Sequence, residues 1–131
     1  MNLKLIPVIG ALCLAGTACS KDGATPSFDE AAPVVKVLSP QENDVFPKGA
    51  SIPITIQFAD ELGLHAYFVY MMNESTGQPS LVEKKHIHAK TWVVEQEYQL
   101  PGGDSGPFRL DIEATDHEFN TAWISVPITV E

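Results

Sequence analysis

The chain has 131 residues, with 17 acidic and 8 basic side chains and a formal net charge of −9 at pH 7. This charge argues against binding to nucleic acid and against lying flat on an anionic membrane leaflet, since both surfaces are negative. The length suits one domain with its own hydrophobic core. Both cysteines, Cys13 and Cys19, lie near the amino terminus, so we expect neither a disulfide nor a thiolate metal site in the rest of the chain.

Residues 1–18 have the features of a secretory signal peptide. Lys4 supplies a positive charge, and the apolar run Leu5 to Ala15 is too short to cross a bilayer. The sequence Gly16-Thr17-Ala18-Cys19 resembles the lipobox of bacterial lipoproteins, although Gly16 stands where leucine is commoner. The resemblance implies that Cys19 becomes the first mature residue and carries diacylglycerol on sulfur and an acyl (palmitate-type) chain on nitrogen. An ordinary signal peptide with an incidental cysteine is the alternative.

Residues 19–32 form the lipidated cysteine and a predicted tether. The segment from Ser20 to Ala32 is small, polar and charged, which is typical of a flexible linker. Thirteen such residues reach at most about 40 Å. Ser20 directly after the cysteine indicates an outer-membrane lipoprotein, facing either the periplasm or the cell surface.

Residues 33–131 are predicted to be one all-β domain. A first strand is predicted over the run Pro33 to Pro40, which prolines bound, and Asp60-Glu61-Leu62-Gly63 is expected to end the second. The apolar run HAYFVYMM is interpreted as a central strand covered on both faces. The alternating or apolar segments predicted as strands after the first are 52–58, 65–72, 81–90, 91–100, 106–116 and 121–130.

The clearest element is a hairpin from Gly106 to Val130, which has one apolar face. Its inward side chains are predicted to be Phe108, Leu110, Ile112 and Ala114, followed by Ala122, Ile124, Val126, Ile128 and Val130. About seven short strands and no convincing helix indicate an immunoglobulin-like antiparallel β-sandwich.

Three stretches carry a family likeness: PVVKVLSP, IPITIQFADELGL and PFRLDIEATDHEFN. Together they resemble the bacterial Ig-like and fibronectin-type domains of short cell-surface lipoproteins, over residues 33–131. Phe119 departs from the pattern, since glycine usually precedes Asn120, and we expect a different backbone in this turn. The resemblance implies a fold and leaves the ligand open.

One candidate site is a stripe on the strand predicted at 81–90. Lys84, His86, His88 and Lys90 have the same parity and share one face. The two histidines would lie about 7 Å apart along the strand, near enough to share Cu²⁺, Zn²⁺ or Ni²⁺.

The same stripe is also compatible with roles that involve no metal. It could be a solvated strip whose lysines protect a sheet edge, or it could pair across a hairpin with Glu95 and Glu97. It could also bind an anionic ligand such as an acidic glycan.

A second candidate site lies where two turns meet at one end of the predicted sandwich. The residues expected to gather there are Asp60, Glu61, His65, Asp116, His117, Glu118 and Asn120. Their carboxylates suit Ca²⁺, and the histidines would suit Zn²⁺. Alternatively, Asp60 and Asp116 cap their own turns through backbone N–H groups.

Trp123 and Phe119 are predicted to be exposed aromatic contacts for a sugar ring or a protein partner.

No nucleophile has a recognisable catalytic context and no glycine-rich phosphate loop is present, so we do not expect an enzyme. The sequence therefore predicts a lipid-anchored, non-catalytic envelope module that binds a glycan or a protein and needs no cofactor. The alternative is a metal-binding envelope protein that uses His86 and His88 or the acidic turns.

Overall fold

The computed structural model describes residues 31–131. The predicted signal peptide, Cys19 and most of the predicted tether lie outside these residues. Within them there are six strands: β1 (Val34–Ser39), β2 (Val45–Phe46), β3 (Ser51–Asn73), β4 (Gln78–Gln99), β5 (Gly106–Asp116) and β6 (Thr121–Val130). The described part of the chain contains no helix, and hence none of a length and apolarity that would cross a membrane.

The sheet curls into two layers because β3 and β4 are long and bent. They have 23 and 22 residues. The first half of β3 pairs with β1 and with the second half of β4. The second half of β3 pairs with the first half of β4 and with β5, which continues to β6 and β2. The predicted all-β sandwich is confirmed.

The bend in β3 is a bulge at residues 60–63. Ala59 pairs with Thr91 and Leu64 pairs with Ala89, so four residues of β3 stand opposite one residue of β4. Such an insertion bends a strand without ending it. The predicted strand end at Asp60–Gly63 is therefore wrong. For the same reason, residues 81–90 and 91–100 are not two strands but parts of the continuous β4.

The core fills the space between the two layers. Phe58 and Tyr67 lie on opposite sides of the bend in the same strand, and their rings stack with centroids 4.8 Å apart. The side chains buried around them come mainly from the inner faces of β3, β5 and β6, among them Ile52, Ile54, Ile56, Val69, Met71, Leu110, Ile112 and Ile128. Burial of this apolar surface is the main driving force for the fold.

The hairpin of β5 and β6 is present and antiparallel, in one unbroken register from Gly106 to Val130. The inward side chains predicted for β5 are all buried. In β6 the predicted inward side chains of the second half are buried. The prediction is wrong for Ile124, whose side chain is 36% exposed, and the neighbouring Trp123 is 66% exposed. Since consecutive side chains are both exposed, the facing layer does not cover this part of β6.

Candidate functional site

All four histidines of the chain converge at the bent end of the sandwich, in what we call the histidine pole: His65, His86, His88 and His117. The ring centroid of His65 lies 4.4 Å from that of His86, 5.2 Å from that of His117 and 6.5 Å from that of His88. His88 and His117 are stacked, with centroids 5.3 Å apart. The two candidate sites that the sequence suggests separately thus meet in one place.

Three segments supply the histidine pole, and strand pairing brings them together. His65 follows the bulge in β3, between Leu64, which pairs with Asp116, and Ala66, which pairs with His86. His117 belongs to the turn between β5 and β6. The backbone of Gly63 supports it closely, because a Cβ at that position would lie 3.2 Å from Cδ2 of His117.

His65 is the least solvated member of the histidine pole. Its Nδ1 atom is buried and has no hydrogen-bond partner among residues 31–131. Burial lowers the pKa of His65, and repulsion from the other three imidazoles lowers this pKa further. Both effects favour the neutral imidazole, which is the form that can bind a metal ion.

The acidic residues predicted beside these histidines act as turn caps. Asp60 Oδ1 accepts hydrogen bonds from the backbone N–H groups of Leu62 and Gly63, at 3.0 and 2.9 Å. Asp116 is 1% exposed, and its Oδ1 accepts hydrogen bonds from the N–H groups of Glu118 and Asn120 at 2.8 and 2.9 Å. The capping interpretation is confirmed for both residues.

The donor atoms of the histidine pole are not arranged around a common point as the side chains stand. In residues 31–131 no group of three or more His, Cys, Asp or Glu side chains is placed to hold a metal ion. Glu118 and Glu61 point into solvent. A calcium site built from the two capping aspartates is not formed.

The predicted stripe on β4 is exposed, and it lies on an edge of the sheet. Its members, Lys84, His86, His88 and Lys90, are all exposed, whereas the intervening Ile87 is 3% exposed and faces the core. The predicted pairing with the glutamates at 95 and 97 is wrong, because those residues lie on the same strand and face Thr55 and Pro53 of β3.

A second surface covers the outer side of the layer formed by β4, β3, β5 and β6. Phe68 and Tyr70 lie there with ring planes 4° apart and centroids separated by 6.3 Å. Phe68 pairs with Glu113, which in turn pairs with Trp123. We call the three aromatic residues Phe68, Tyr70 and Trp123 the aromatic face.

Sequence reasoning finds Trp123 but misses Phe68 and Tyr70. The run HAYFVYMM is apolar at nearly every position, which predicts cover on both sides. In the structure Tyr67, Val69 and Met71 are buried, whereas Phe68 and Tyr70 are only half-buried. Alternate residues of a strand face opposite sides. If the side of Val69 and Met71 is taken as the buried one, Phe68 and Tyr70 fall on the outer side, and this alternation is the signal that could have found them.

The two remaining predicted contacts lie outside the aromatic face. Phe119 is 75% exposed, and its ring centroid lies 5.9 Å from that of His65. Its φ angle of 65° is one that glycine adopts easily, so the different backbone expected for this turn is not observed. Lys90 lies opposite the bulge, where it lines a depression of about 670 Å³ together with Val34 and Leu62.

A smaller depression joins the histidine pole to the aromatic face. It has a volume of about 270 Å³ and is lined by Ala66, Phe68, Lys84, Lys85 and His86. Lys84 pairs with Phe68 across the strands. The two surfaces are therefore neighbours on one side of the molecule.

Comparison with solved structures supports the fold. The chain is similar to fibronectin(III)-like modules of CbhA from Clostridium thermocellum, with a TM-score of 0.53 and 20% identity over 76% of this chain and 47% of that one. It is also similar to a superoxide reductase (neelaredoxin) from Ignicoccus hospitalis, with a TM-score of 0.55 and 8% identity over 76% of this chain and 80% of that one. A third similar structure is OgpA from Akkermansia muciniphila, with a TM-score of 0.53 and 17% identity over 81% of this chain and 30% of that one.

Identities this low show the fold alone, which is an immunoglobulin-like β-sandwich. The matched region spans about half of the fibronectin(III)-like chain. Neither a protein-family model nor a curated protein sequence matches this chain.

Proposed function

We propose that this protein is a lipid-anchored, non-catalytic module of the bacterial envelope that binds a glycan through the aromatic face. The observation that carries the proposal is the parallel pair of rings of Phe68 and Tyr70, with the exposed Trp123 on the same side of the layer. Flat aromatic surfaces stack on the apolar faces of sugar rings and exclude water from them.

The surroundings of the aromatic face suit a polar ligand. Glu113 lies between Phe68 and Trp123 in the register, and Lys84 lies on the other side of Phe68. These carboxylate and ammonium groups can hydrogen-bond to sugar hydroxyls. The core of a protein–protein interface is depleted of charged residues, whereas charges are interleaved with the aromatic face, and for this reason we favour a glycan.

Some polar groups near the aromatic face are fixed before any ligand binds. Asp111 accepts a hydrogen bond from the hydroxyl of Ser125 at 2.6 Å and forms an ion pair with Arg109 at 2.9 Å. Arg109 also contacts Glu74 at 3.2 Å. Because these side chains already hold one another, they lose little conformational entropy when a ligand binds.

The proposed anchor is the lipid on Cys19, and the proposed location is the outer membrane. β1 begins at Val34, which pairs with Ala59 beside the bulge, so the tether joins the domain at the bent end. A Cys19→Ala variant is expected to move from the membrane fraction to the soluble fraction. A variant that stayed in the membrane fraction would refute the lipid anchor.

Binding to glycans is tested with the full chain purified in detergent. Samples are sedimented with insoluble chitin, cellulose or peptidoglycan, and bound protein is measured. We expect Trp123→Ala to weaken retention by about tenfold, as removal of a central aromatic contact does. The matched control is Val93→Ala, since Val93 is 51% exposed and belongs to the other layer. Equal retention of the Trp123 and Val93 variants, or no retention of the native protein, would refute the proposal.

A further inference from the structure

We propose that the histidine pole binds one divalent transition-metal ion, Zn²⁺ or Cu²⁺, with His65, His88 and His117 as ligands and His86 completing the set. This site is independent of the proposed glycan surface. Every histidine in the chain takes part, although these residues are distributed over 53 positions of sequence between His65 and His117.

Two of the ring separations in the histidine pole match that of imidazoles on a shared ion, and a third, 4.4 Å between His65 and His86, is somewhat shorter. Two imidazoles bound to one tetrahedral zinc through bonds of about 2.0–2.1 Å place their ring centres roughly 5 Å apart. The centroid separations are 5.2 Å for His65 and His117 and 5.3 Å for His88 and His117. The third side of this triangle, between His65 and His88, is 6.5 Å, which must shorten by roughly 1 Å for tetrahedral binding.

That adjustment requires side-chain rotation only. His86, His88 and His117 are exposed, so their χ torsions are free to turn, and rotamer changes at the surface are fast. His65 is held by its partial burial and provides the fixed ligand. The exposed imidazoles would then turn their nitrogen atoms toward the ion, whereas now His88 and His117 lie nearly parallel, with 11° between their planes.

The unsatisfied polar atom points to the same conclusion. Nδ1 of His65 is buried and unpartnered within residues 31–131, which is an unfavourable state for a polar atom. A metal ion bound at Nδ1 would remove this penalty.

The donor set determines the class of ion. Imidazole nitrogens suit zinc, copper and nickel, whereas Ca²⁺ and Mg²⁺ require oxygen ligands. The buried carboxylate of the turn, Asp116, is engaged by the N–H groups of Glu118 and Asn120 and cannot serve as a ligand without breaking the turn. We therefore expect no selective binding of Ca²⁺ or Mg²⁺.

The test uses the untagged full chain in detergent, because a polyhistidine tag would itself bind metal. Equilibrium dialysis against Zn²⁺, Cu²⁺, Ca²⁺ or Mg²⁺ is followed by elemental analysis and thermal unfolding. We expect one Zn²⁺ or Cu²⁺ per chain and a rise in Tm, since the ion joins β3, β4 and the β5–β6 turn. Calcium and magnesium should give neither effect.

Single substitutions then locate the site. His88→Ala and His117→Ala replace exposed residues, so they should fold normally, and each is expected to weaken zinc binding at least about tenfold. The matched controls are Lys90→Ala, at an exposed position of the same strand, and Glu118→Gln in the same turn, which should bind zinc as the native protein does. Failure to retain either transition metal, or unchanged affinity in both histidine variants, would overturn the proposal. Glycan retention of the same variants is measured separately. Its result does not depend on whether metal is bound, so the metal proposal and the glycan proposal can fail independently.

Discussion

Replacing Asp116 with alanine should destabilise the domain strongly, because its carboxylate organises the turn that carries His117. The side chain accepts three hydrogen bonds, two at Oδ1 from the N–H groups of Glu118 and Asn120 and one at Oδ2 from the side-chain amide of Asn120. A hydrogen bond contributes about 1 kcal/mol net, so we expect a loss of about 3 kcal/mol. For a domain of this size, that loss corresponds to a fall in Tm of roughly 12 °C or more.

The free energy of unfolding is measured by urea titration of the native protein and three variants. Asp116→Asn keeps an oxygen that can accept the two backbone N–H groups, so it should lose only about 1 kcal/mol. Glu118→Ala removes an exposed neighbour and should stay within about 0.5 kcal/mol of the native protein. If Asp116→Ala were no less stable than Glu118→Ala, the assignment of Asp116 as the organiser of this turn would be wrong.

Three further substitutions test local features by the same titration. Phe119→Gly should raise stability by about 0.5–1 kcal/mol, since φ is 65°, whereas Phe119→Ala keeps the strain and should give no gain. Gly63→Ala should lower stability by about 1–3 kcal/mol, because φ is 117° and the new Cβ would press on His117. Lys85→Ala should lose about 0.5–1 kcal/mol of cation–π attraction, since Nζ lies 4.2 Å from the centre of the Trp92 ring.

The sequence is sufficient to predict the hairpin of β5 and β6 because strand alternation there is local. A side chain on every second residue faces the core, so Leu110 and Ile112 reveal their burial without knowledge of the rest of the fold. The exposure of Ile124 cannot be predicted in this way. It depends on how far the opposite layer extends, and that is a property of the tertiary structure.

The strand boundaries are predicted poorly for a related reason. Asp60 and Gly63 carry the composition of a turn, and turns usually end strands. Here the same residues form a bulge, since Asp60 satisfies the backbone N–H groups of Leu62 and Gly63 and pairing resumes at Leu64. Sequence composition identifies the irregularity correctly, but only the strand register shows that the chain continues through it.

The bulge also explains why the sequence reveals the candidate metal site only in part. Parity on β4 groups His86 with His88, and turn position groups His65 with His117. Joining the two pairs requires the alignment of β4 beside β3, and the bulge sets this alignment by inserting four residues opposite one. The bend that closes the sandwich is thus the same feature that assembles the histidine pole.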